Sequence, residues 1–305
     1  MTKLRGEIMD SKLSLKSNER FAHLMKKHPC FNGEAHTNFG RIHLPVSPSC
    51  NIQCRFCQRS FNKWEDRPGV SRSLLTPKAS LKVVERALEL CPQITVAGIA
   101  GPGDTLATDH ALETLELIHW KFPHLINCLS TNGLLLKEKA NRIVSAGVKT
   151  VTVTVNSINP KGLSSICSHI ISNGQFMTGE DAAQVLIEAQ LSGIRKIVEQ
   201  GVVVKINTVL IPGVNGESIG EVAKATAEAG ASLINIIPLI PQHEMVLLRQ
   251  PNCEELDSAR ISAEEFLPVF RHCLHCRADA CGIPGSGIDY ASELYEQPQE
   301  TFSHG

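Results

Sequence analysis

Six short runs rich in Ile, Val and Leu recur along the chain, and helical patterns alternate with them. The runs are residues 42–46, 94–99, 126–130, 150–155, 202–209 and 233–237. The helical patterns are residues 78–90, 109–121, 137–146, 179–200, 217–229 and 263–273. Such runs predict buried parallel strands, and each connection is long enough for a right-handed crossover. Six units are too few for a closed eight-stranded barrel, so we expect an α/β fold with a partial, open (β/α)6 TIM barrel; a doubly wound open sheet is the alternative.

The balance of charge argues against a polyanionic partner. The 305 residues include 30 Lys and Arg against 31 Asp and Glu, whereas nucleic acids and anionic membranes are bound by clustered positive charge. No run approaches the roughly 18 apolar residues that a membrane span needs. Residues 1–20 contain no continuous apolar segment, so we expect no secretory signal and a cytoplasmic location.

The chain contains eleven cysteines, and the densest group is a C-x3-C-x2-C loop directly after the first predicted strand. In a reducing cytoplasm, clustered thiols indicate metal or redox chemistry rather than disulfides. The thiolates of Cys50, Cys54 and Cys57 can bind three corners of a [4Fe–4S] cluster and leave the fourth iron open for chemistry. Tetrahedral zinc is the alternative, although it would need a fourth ligand nearby.

Glycine and polar residues stand at the carboxyl ends of the next four predicted strands. They are Gly101, Gly103 and Asp104, then Ser130, Thr131 and Asn132, then Asn156, and finally Asn207. In barrel enzymes these strand ends surround the active site, and glycine lets the backbone approach a ligand closely. We expect these residues to bind a cofactor, although any one of them could serve only as a helix cap or turn former.

The cysteine spacing, with Phe56 before the last cysteine, resembles the radical S-adenosylmethionine (SAM) superfamily. That resemblance implies that the open iron binds the amino and carboxylate groups of SAM. It also implies that an electron from the cluster cleaves SAM to give a 5′-deoxyadenosyl radical. The turn at residues 101–104 stands where that superfamily has its glycine-rich SAM-binding turn.

Further segments narrow the resemblance to the NifB family of nitrogenase cofactor biosynthesis. Residues 43–54 resemble that family, and so does the Glu-x-Arg-Pro motif within residues 65–70. Shorter matches lie at residues 28–30, 128–133, 211–215 and 276–280. The resemblance implies an enzyme that fuses two [4Fe–4S] clusters, inserts a carbide taken from SAM and adds a sulfur, giving an eight-iron precursor. It also implies partner proteins: an iron–sulfur cluster donor, a cofactor carrier or acceptor, and an electron donor.

The same resemblance assigns further site residues. Candidate ligands of the two precursor clusters are Cys30, Cys128, Cys273 and Cys276, with His28 or His23 as a nitrogen ligand. Glu65 and Arg67 of the Glu-x-Arg-Pro motif are the expected catalytic pair, Glu65 as a proton acceptor or cluster contact and Arg67 as a carboxylate holder. We divide the chain into an N-terminal extension (1–41), a radical SAM partial barrel (42–248) and a cysteine-bearing tail (249–305).

One departure from the family keeps two alternatives open. The family usually has a further cysteine between the C-x3-C-x2-C loop and the Glu-x-Arg-Pro motif, whereas residues 58–64 contain none. A paralogue with one auxiliary cluster and another substrate is therefore an alternative, and so is a non-catalytic iron–sulfur scaffold. We expect the unmatched Cys91, Cys167 and Cys253 to be buried small hydrophobes and Cys281 to be a surface thiol.

Overall fold

The computed structural model describes residues 22–273 and 275–295, so residues 1–20, on which the signal-sequence expectation rests, lie outside it. The strands of this part are β1 (Gly40–His43), β2 (Ile52–Cys54), β3 (Ser60–Phe61), β4 (Val70–Ser71), β5 (Ile94–Ile99), β6 (Ile126–Thr131), β7 (Val148–Thr154), β8 (Cys167–Ser172), β9 (Gln175–Thr178), β10 (Val203–Leu210), β11 (Leu233–Pro238) and β12 (Cys281–Gly282). The helices are α1 (Gly33–Asn38), α2 (Pro77–Leu90), α3 (His110–Lys121), α4 (Leu136–Ser145), α5 (Pro160–Ser164), α6 (Gly179–Glu199), α7 (Ile219–Glu228), α8 (Cys253–Glu264) and α9 (Ala291–Leu294).

The main sheet has the strand order β11-β10-β7-β6-β5-β1-β12, and every pair except β1–β12 is parallel. The six parallel strands follow one another across the sheet in chain order. A doubly wound sheet would instead reverse direction at a switch point. The predicted partial barrel is therefore confirmed, and all six predicted strands are present.

Alternation along each strand separates the apolar core from the barrel interior. In β6, Leu129 points outward into the core between sheet and helices, whereas Cys128 and Ser130 on either side line an interior cavity. The helices contribute residues such as Leu115 of α3 and Ile143 of α4 to the outer core. Period-two side-chain placement thus lets one strand serve both the core and the interior.

The first five predicted helices are present within two residues of their expected bounds, as the start of α2 illustrates. Thr76 accepts the N–H of Ala79 at 3.2 Å, and Pro77 occupies the first helical turn. A capping side chain of this kind is worth about 1 kcal/mol, and proline loses nothing at that position.

The sixth predicted helix, residues 263–273, is wrong. Asn252 and Glu255 form a capping box that starts α8 at Cys253, and the helix ends at Glu264. Pro268 lacks the N–H that a continued helix needs. The chain instead runs beside the edge strand β11, where Ile234 donates to the Pro268 carbonyl at 3.0 Å and accepts from Phe270 at 2.8 Å.

Two further features of the fold were not predicted. Strands β2, β8 and β9 form a separate antiparallel sheet, with Cys54 opposite Cys167. In the tail, β12 pairs antiparallel with β1 and places Cys281 opposite Ile42. Cys281 is therefore fully buried rather than a surface thiol, whereas Cys253 is exposed rather than buried. The expected burial of Cys91 and Cys167 is confirmed.

Within the described residues, no helix combines the length and the apolar character needed to cross a membrane.

Candidate active site

Two adjoining cavities occupy the interior of the partial barrel. The loop cavity, of about 200 Å³, lies between residues 50–57 and the carboxyl ends of β5, β6 and β7. The barrel cavity, of about 310 Å³, lies below it among the inward-facing side chains of the strands. Both cavities are lined by Phe56, Cys57, Ala100, Pro102, Ser130 and Thr154. The two spaces thus share one wall, and Cys57 stands in it.

The loop cavity contains the sulfurs of Cys50, Cys54 and Cys57. Burial raises the pKa of Cys50 to about 12, and it also raises the pKa of Cys54 and Cys57. Each neighbouring thiol adds to the shift at Cys54, since a second negative charge nearby is unfavourable. Three half-buried cysteines on one loop fit a cluster with one open iron, because thiolates are the usual ligands of iron–sulfur units.

Cys167 lies opposite Cys54 and also lines the loop cavity. Its thiol donates to the His169 carbonyl at 3.3 Å. Among the residues described, no three Cys, His, Asp or Glu side chains converge as ligands of a single metal ion. Cys167 is thus a fourth cysteine at the loop cavity.

Asn132 fixes the cysteine loop to the sheet. Its amide nitrogen donates to the Asn51 side chain at 2.7 Å, and its amide oxygen accepts the N–H of Leu134 at 2.9 Å. Gln190 of α6 donates to the Asn132 carbonyl at 2.8 Å. Asn132 lines the loop cavity as expected, but its side-chain hydrogen bonds go to protein groups that position Cys50.

Asp104 also lines the loop cavity, and its carboxylate already has several donors. It accepts the Thr131 hydroxyl at 3.0 and 3.1 Å, the N–H of Asn132 at 2.6 Å and the N–H of Leu106 at 2.9 Å. Burial raises the pKa of Asp104, although these hydrogen bonds oppose the shift. The carboxylate therefore ties the turn after β5 to the end of β6.

The two glycines of the 101–104 turn differ in role. Gly101 has φ of +126°, a conformation that other residues rarely adopt, and it lines neither cavity. Gly103 lines the loop cavity, and a Cβ atom there would lie 2.1 Å from the Ser49 carbonyl oxygen. The close approach that Gly103 permits is thus to the cysteine loop itself.

The structure separates the two remaining asparagines that we expected to bind SAM. Asn156 lines the loop cavity and accepts the N–H of Val209 at 2.9 Å. Asn207 lines the barrel cavity instead, where its side chain accepts from Asn235 at 3.1 Å.

The barrel cavity brings together all five residues expected to ligate the precursor clusters. They are His28, Cys30, Cys128, Cys273 and Cys276. Burial raises the pKa of Cys30 to about 12, and it also raises the pKa of Cys128. His28 accepts the N–H of Cys30 through Nδ1 at 3.2 Å, while its Nε2 is buried without a hydrogen-bond partner among the described residues. An unpaired imidazole nitrogen beside thiols fits a metal ligand. The other candidate, His23, is exposed.

Arg67 and Glu65 are close to each other, but only Arg67 lines the barrel cavity. The guanidinium of Arg67 is buried and contacts the Glu65 carboxylate at 2.6 Å. The Glu65 side chain remains 42% exposed. The structure therefore brings Arg67, and not Glu65, to the cavity wall.

Several residues of the two cavities were not predicted from the sequence. Arg59 lines the loop cavity, and one of its buried guanidinium nitrogens has no partner within the described chain. Lys205 and His43 line the barrel cavity, and Arg41 donates to Cys276 Sγ at 3.2 Å. Arg41, His43 and Lys205 occupy inward positions of β1 and β10, whose sequences show the usual alternation between core-facing and inward-facing residues. Only a charged residue within an otherwise apolar strand could have indicated them.

The chain matches the model of the radical SAM superfamily over residues 44–226. It is 47% identical over 266 residues to the FeMo cofactor biosynthesis protein NifB of Methanocaldococcus infernus, which covers 87% of this chain and 88% of that protein. The protein of the same name from Klebsiella pneumoniae is 42% identical, over 85% of this chain and 57% of its own.

Solved structures share the fold at low sequence identity. A radical SAM methyltransferase from Sphaerobacter thermophilus has a TM-score of 0.53 at 19% identity, over 75% of this chain and 65% of its own. Methylornithine synthase has a TM-score of 0.51 at 13% identity, over 85% of this chain and 70% of its own. The fold and the identity to the two NifB proteins agree, and the chain belongs to the NifB family of FeMo cofactor biosynthesis proteins, within the radical SAM superfamily.

Proposed function

We propose that this chain builds an eight-iron precursor of the nitrogenase cofactor by joining two [4Fe–4S] clusters around a carbon atom taken from SAM. One SAM gives its methyl group to a cluster sulfide and leaves as S-adenosylhomocysteine. A second SAM takes up one electron and yields methionine and a 5′-deoxyadenosyl radical, which removes a hydrogen atom from the methyl group. The carbon then loses its other two hydrogens as protons, while the irons of the two clusters supply the electrons that reduce it to a carbide. An added sulfur completes the product. The two clusters that are joined are substrates of the enzyme.

The shared wall of the two cavities carries this proposal. The thiols of the C-x3-C-x2-C loop lie on one side, and Cys30, Cys128, Cys273 and Cys276 lie on the other. An electron-transfer protein needs no such second cavity. SAM in the loop cavity would therefore adjoin an iron–sulfur substrate in the barrel cavity.

The residues of the loop cavity suit the binding of a resident cluster and SAM. A [4Fe–4S] cluster held by Cys50, Cys54 and Cys57 supplies the electron and the open iron that cleavage of SAM requires. Asn132 and Gly103 hold the cysteine loop in place, and Arg59 offers a guanidinium to the SAM carboxylate.

In the barrel cavity, sparse ligation suits clusters that must later be released. Four thiols and His28 are fewer than the eight ligands that two fully bound clusters would have. An unsaturated cluster exchanges ligands more readily, and fusion requires such exchange. The donor of these clusters, the acceptor of the product and the electron donor are the partner proteins that this reaction requires.

The proposal is tested by anaerobic reconstitution with iron, sulfide and reductant. The unaltered chain should bind about twelve irons and produce both 5′-deoxyadenosine and S-adenosylhomocysteine. Cys54→Ala should abolish 5′-deoxyadenosine, whereas Cys128→Ala should lose about four irons and all eight-iron product while keeping the SAM-responsive paramagnetic signal.

Cys253→Ala is the matched control, since Cys253 is exposed and lines neither cavity. Continued SAM cleavage by Cys54→Ala would contradict the assignment of the loop. A chain that binds iron but never yields 5′-deoxyadenosine would be a scaffold.

A second candidate is a family relative with one auxiliary cluster and a different substrate. It is favoured by residues 58–64, where Asn62 is buried and its side chain accepts the N–H groups of Trp64 and Glu65 at 3.2 and 2.9 Å. The turn that Asn62 stabilises contains no cysteine, so it offers no thiolate ligand to a second auxiliary cluster. About eight irons in the unaltered chain, with intact SAM cleavage, would favour this candidate.

A further inference from the structure

Two cationic side chains, Lys205 and Arg41, are buried beside the thiols of the barrel cavity. Lys205 is 5% exposed and Arg41 is 7% exposed. Lys205 lines the cavity from β10, whereas Arg41 lies on β1 and contacts Cys276, which lines the cavity. Each lies next to a different part of the cysteine set.

The partners of Lys205 carry no full negative charge. Its ammonium group donates to the Cys30 carbonyl at 3.0 Å and lies 5.0 Å from the Phe31 ring centroid and 5.4 Å from that of Phe270. Ring faces attract a cation, but less strongly than an anion does. Among the described residues, no carboxylate lies within ion-pairing distance of Lys205.

Arg41 is similarly short of a counter-ion. Its guanidinium donates to the Gly282 carbonyl at 2.7 Å and to Cys276 Sγ at 3.2 Å, and its Nε is buried without an acceptor in the described part of the chain. Of the carboxylates in this region, Asp279 binds Arg277 at 2.8 Å, and Asp289 accepts the N–H of Cys281 at 3.0 Å and favours the Arg41 charge without forming an ion pair with it.

A buried cation without an anion is unfavourable, and proteins keep one where a ligand or partner supplies the charge. An iron–sulfur unit held by thiolates supplies it, because each ligating cysteine is negative and reduction adds one more electron. Hydrogen bonds and positive charge near the sulfurs also set the reduction potential.

We propose that Lys205 and Arg41 are positioning residues that counter the negative charge of the iron–sulfur substrates, Lys205 at Cys30 and Arg41 at Cys276. The inference rests on the proposed function, since it requires clusters in the barrel cavity. Each cation stabilises the reduced, more negative form of its cluster. Removal of either charge therefore makes that cluster harder to reduce.

The test is a potentiometric titration, followed by electron paramagnetic resonance, of chains in which Cys50, Cys54 and Cys57 are all replaced by Ala. Only clusters of the barrel cavity then contribute to the signal. For Lys205→Met, the ratio of reduced to oxidised cluster at a fixed potential should fall about tenfold, which corresponds to about 59 mV for one electron. Lys205→Arg should restore most of the potential, because it keeps the charge.

Lys149→Met is the matched control, since Lys149 is an exposed lysine on the neighbouring strand β7. Arg41→Met should shift a second signal in the same direction. If clusters bind but Lys205→Met and Arg41→Met leave every potential within the scatter of the control, the inference is wrong. If the chain with the three loop cysteines replaced but with Lys205 intact takes up no iron in the barrel cavity, the proposed function itself is wrong. Failure of the proposed function is thus distinguishable from failure of this inference.

Discussion

Replacement of Gly103 by Ala should displace the cysteine loop. Gly103 follows β5, and its N–H donates to the Ser47 carbonyl at 2.9 Å. The next residue, Asp104, donates to the Ser49 carbonyl at 2.9 Å. These two hydrogen bonds join the turn to the segment that leads into Cys50. The backbone of Gly103 is compatible with a side chain, so the contact alone determines the effect of the substitution.

The magnitude follows from the size of the overlap. The added carbon would lie 2.1 Å from the Ser49 oxygen, where ordinary contact begins at 3.4 Å, so the segments must part by about 1.3 Å. Both hydrogen bonds are then lost, at about 1 kcal/mol each, and overpacking adds about 1–3 kcal/mol. We expect the free energy of unfolding to fall by about 3–5 kcal/mol. For a chain of 305 residues this lowers Tm by about 5–8 °C.

The assay compares urea unfolding of the iron-free Gly103→Ala chain with that of Gly216→Ala. A Cβ at Gly216 would meet only Leu210 Cδ1, at 3.7 Å, so this control should change stability little. After reconstitution, Gly103→Ala should lose the SAM-responsive signal and keep the clusters of the barrel cavity. The reasoning is refuted if Gly103→Ala matches Gly216→Ala in both unfolding free energy and SAM response.

Two further predictions concern His43, which lines the barrel cavity, and the buried pair of Arg277 and Asp279 next to it. Arg277→Met should lower the unfolding free energy by about 2–3 kcal/mol, because Asp279, fully buried, loses its contacts at 2.8 and 3.0 Å and keeps only those with Arg72; urea unfolding measures this, and recovery in Arg277→Met/Asp279→Asn is the check. Burial, with the nearby Arg41, lowers the pKa of His43 to about 4, so the unfolded chain binds the extra proton and stability is lost as pH falls from about 6.5 to 4. Between pH 7 and 4.5 the unaltered iron-free chain should lose about 2 kcal/mol more than His43→Gln, and equal losses would show that His43 is not responsible.

The strand and helix series could be predicted because it depends on local periodicity. The pattern of β-branched runs and crossovers located all six barrel strands and the first five helices. The cysteine loop was equally visible, since its spacing alone implies three ligands on one turn. Cys30 and Cys276, both expected as cluster ligands, line the same cavity although they are 246 positions apart in the sequence.

Features that depend on tertiary contacts could not be predicted from the sequence. The helix expected at residues 263–273 had suitable apolar spacing, but the free edge of β11 competes for that backbone and Pro268 cannot donate to a helix. Asp104 and Asn132 have the side chains of ligand-binding residues, yet their hydrogen bonds hold the loops around the cavity. The type of side chain indicates that a polar residue belongs to a site, whereas its hydrogen-bond partner in the folded chain determines its role.

The electrostatics of the barrel cavity connect the thiols with the two buried cations. A thiol with a pKa near 12, such as that of Cys30, keeps its proton at neutral pH, because burial disfavours the thiolate. Iron ligation replaces that proton and leaves a negative sulfur in the same apolar surroundings. Arg41 keeps its positive charge beside these thiols, since arginine stays protonated in proteins. If clusters bind here as proposed, Lys205 and Arg41 would favour negative charge at Cys30 and Cys276, and cluster uptake would balance the two cations.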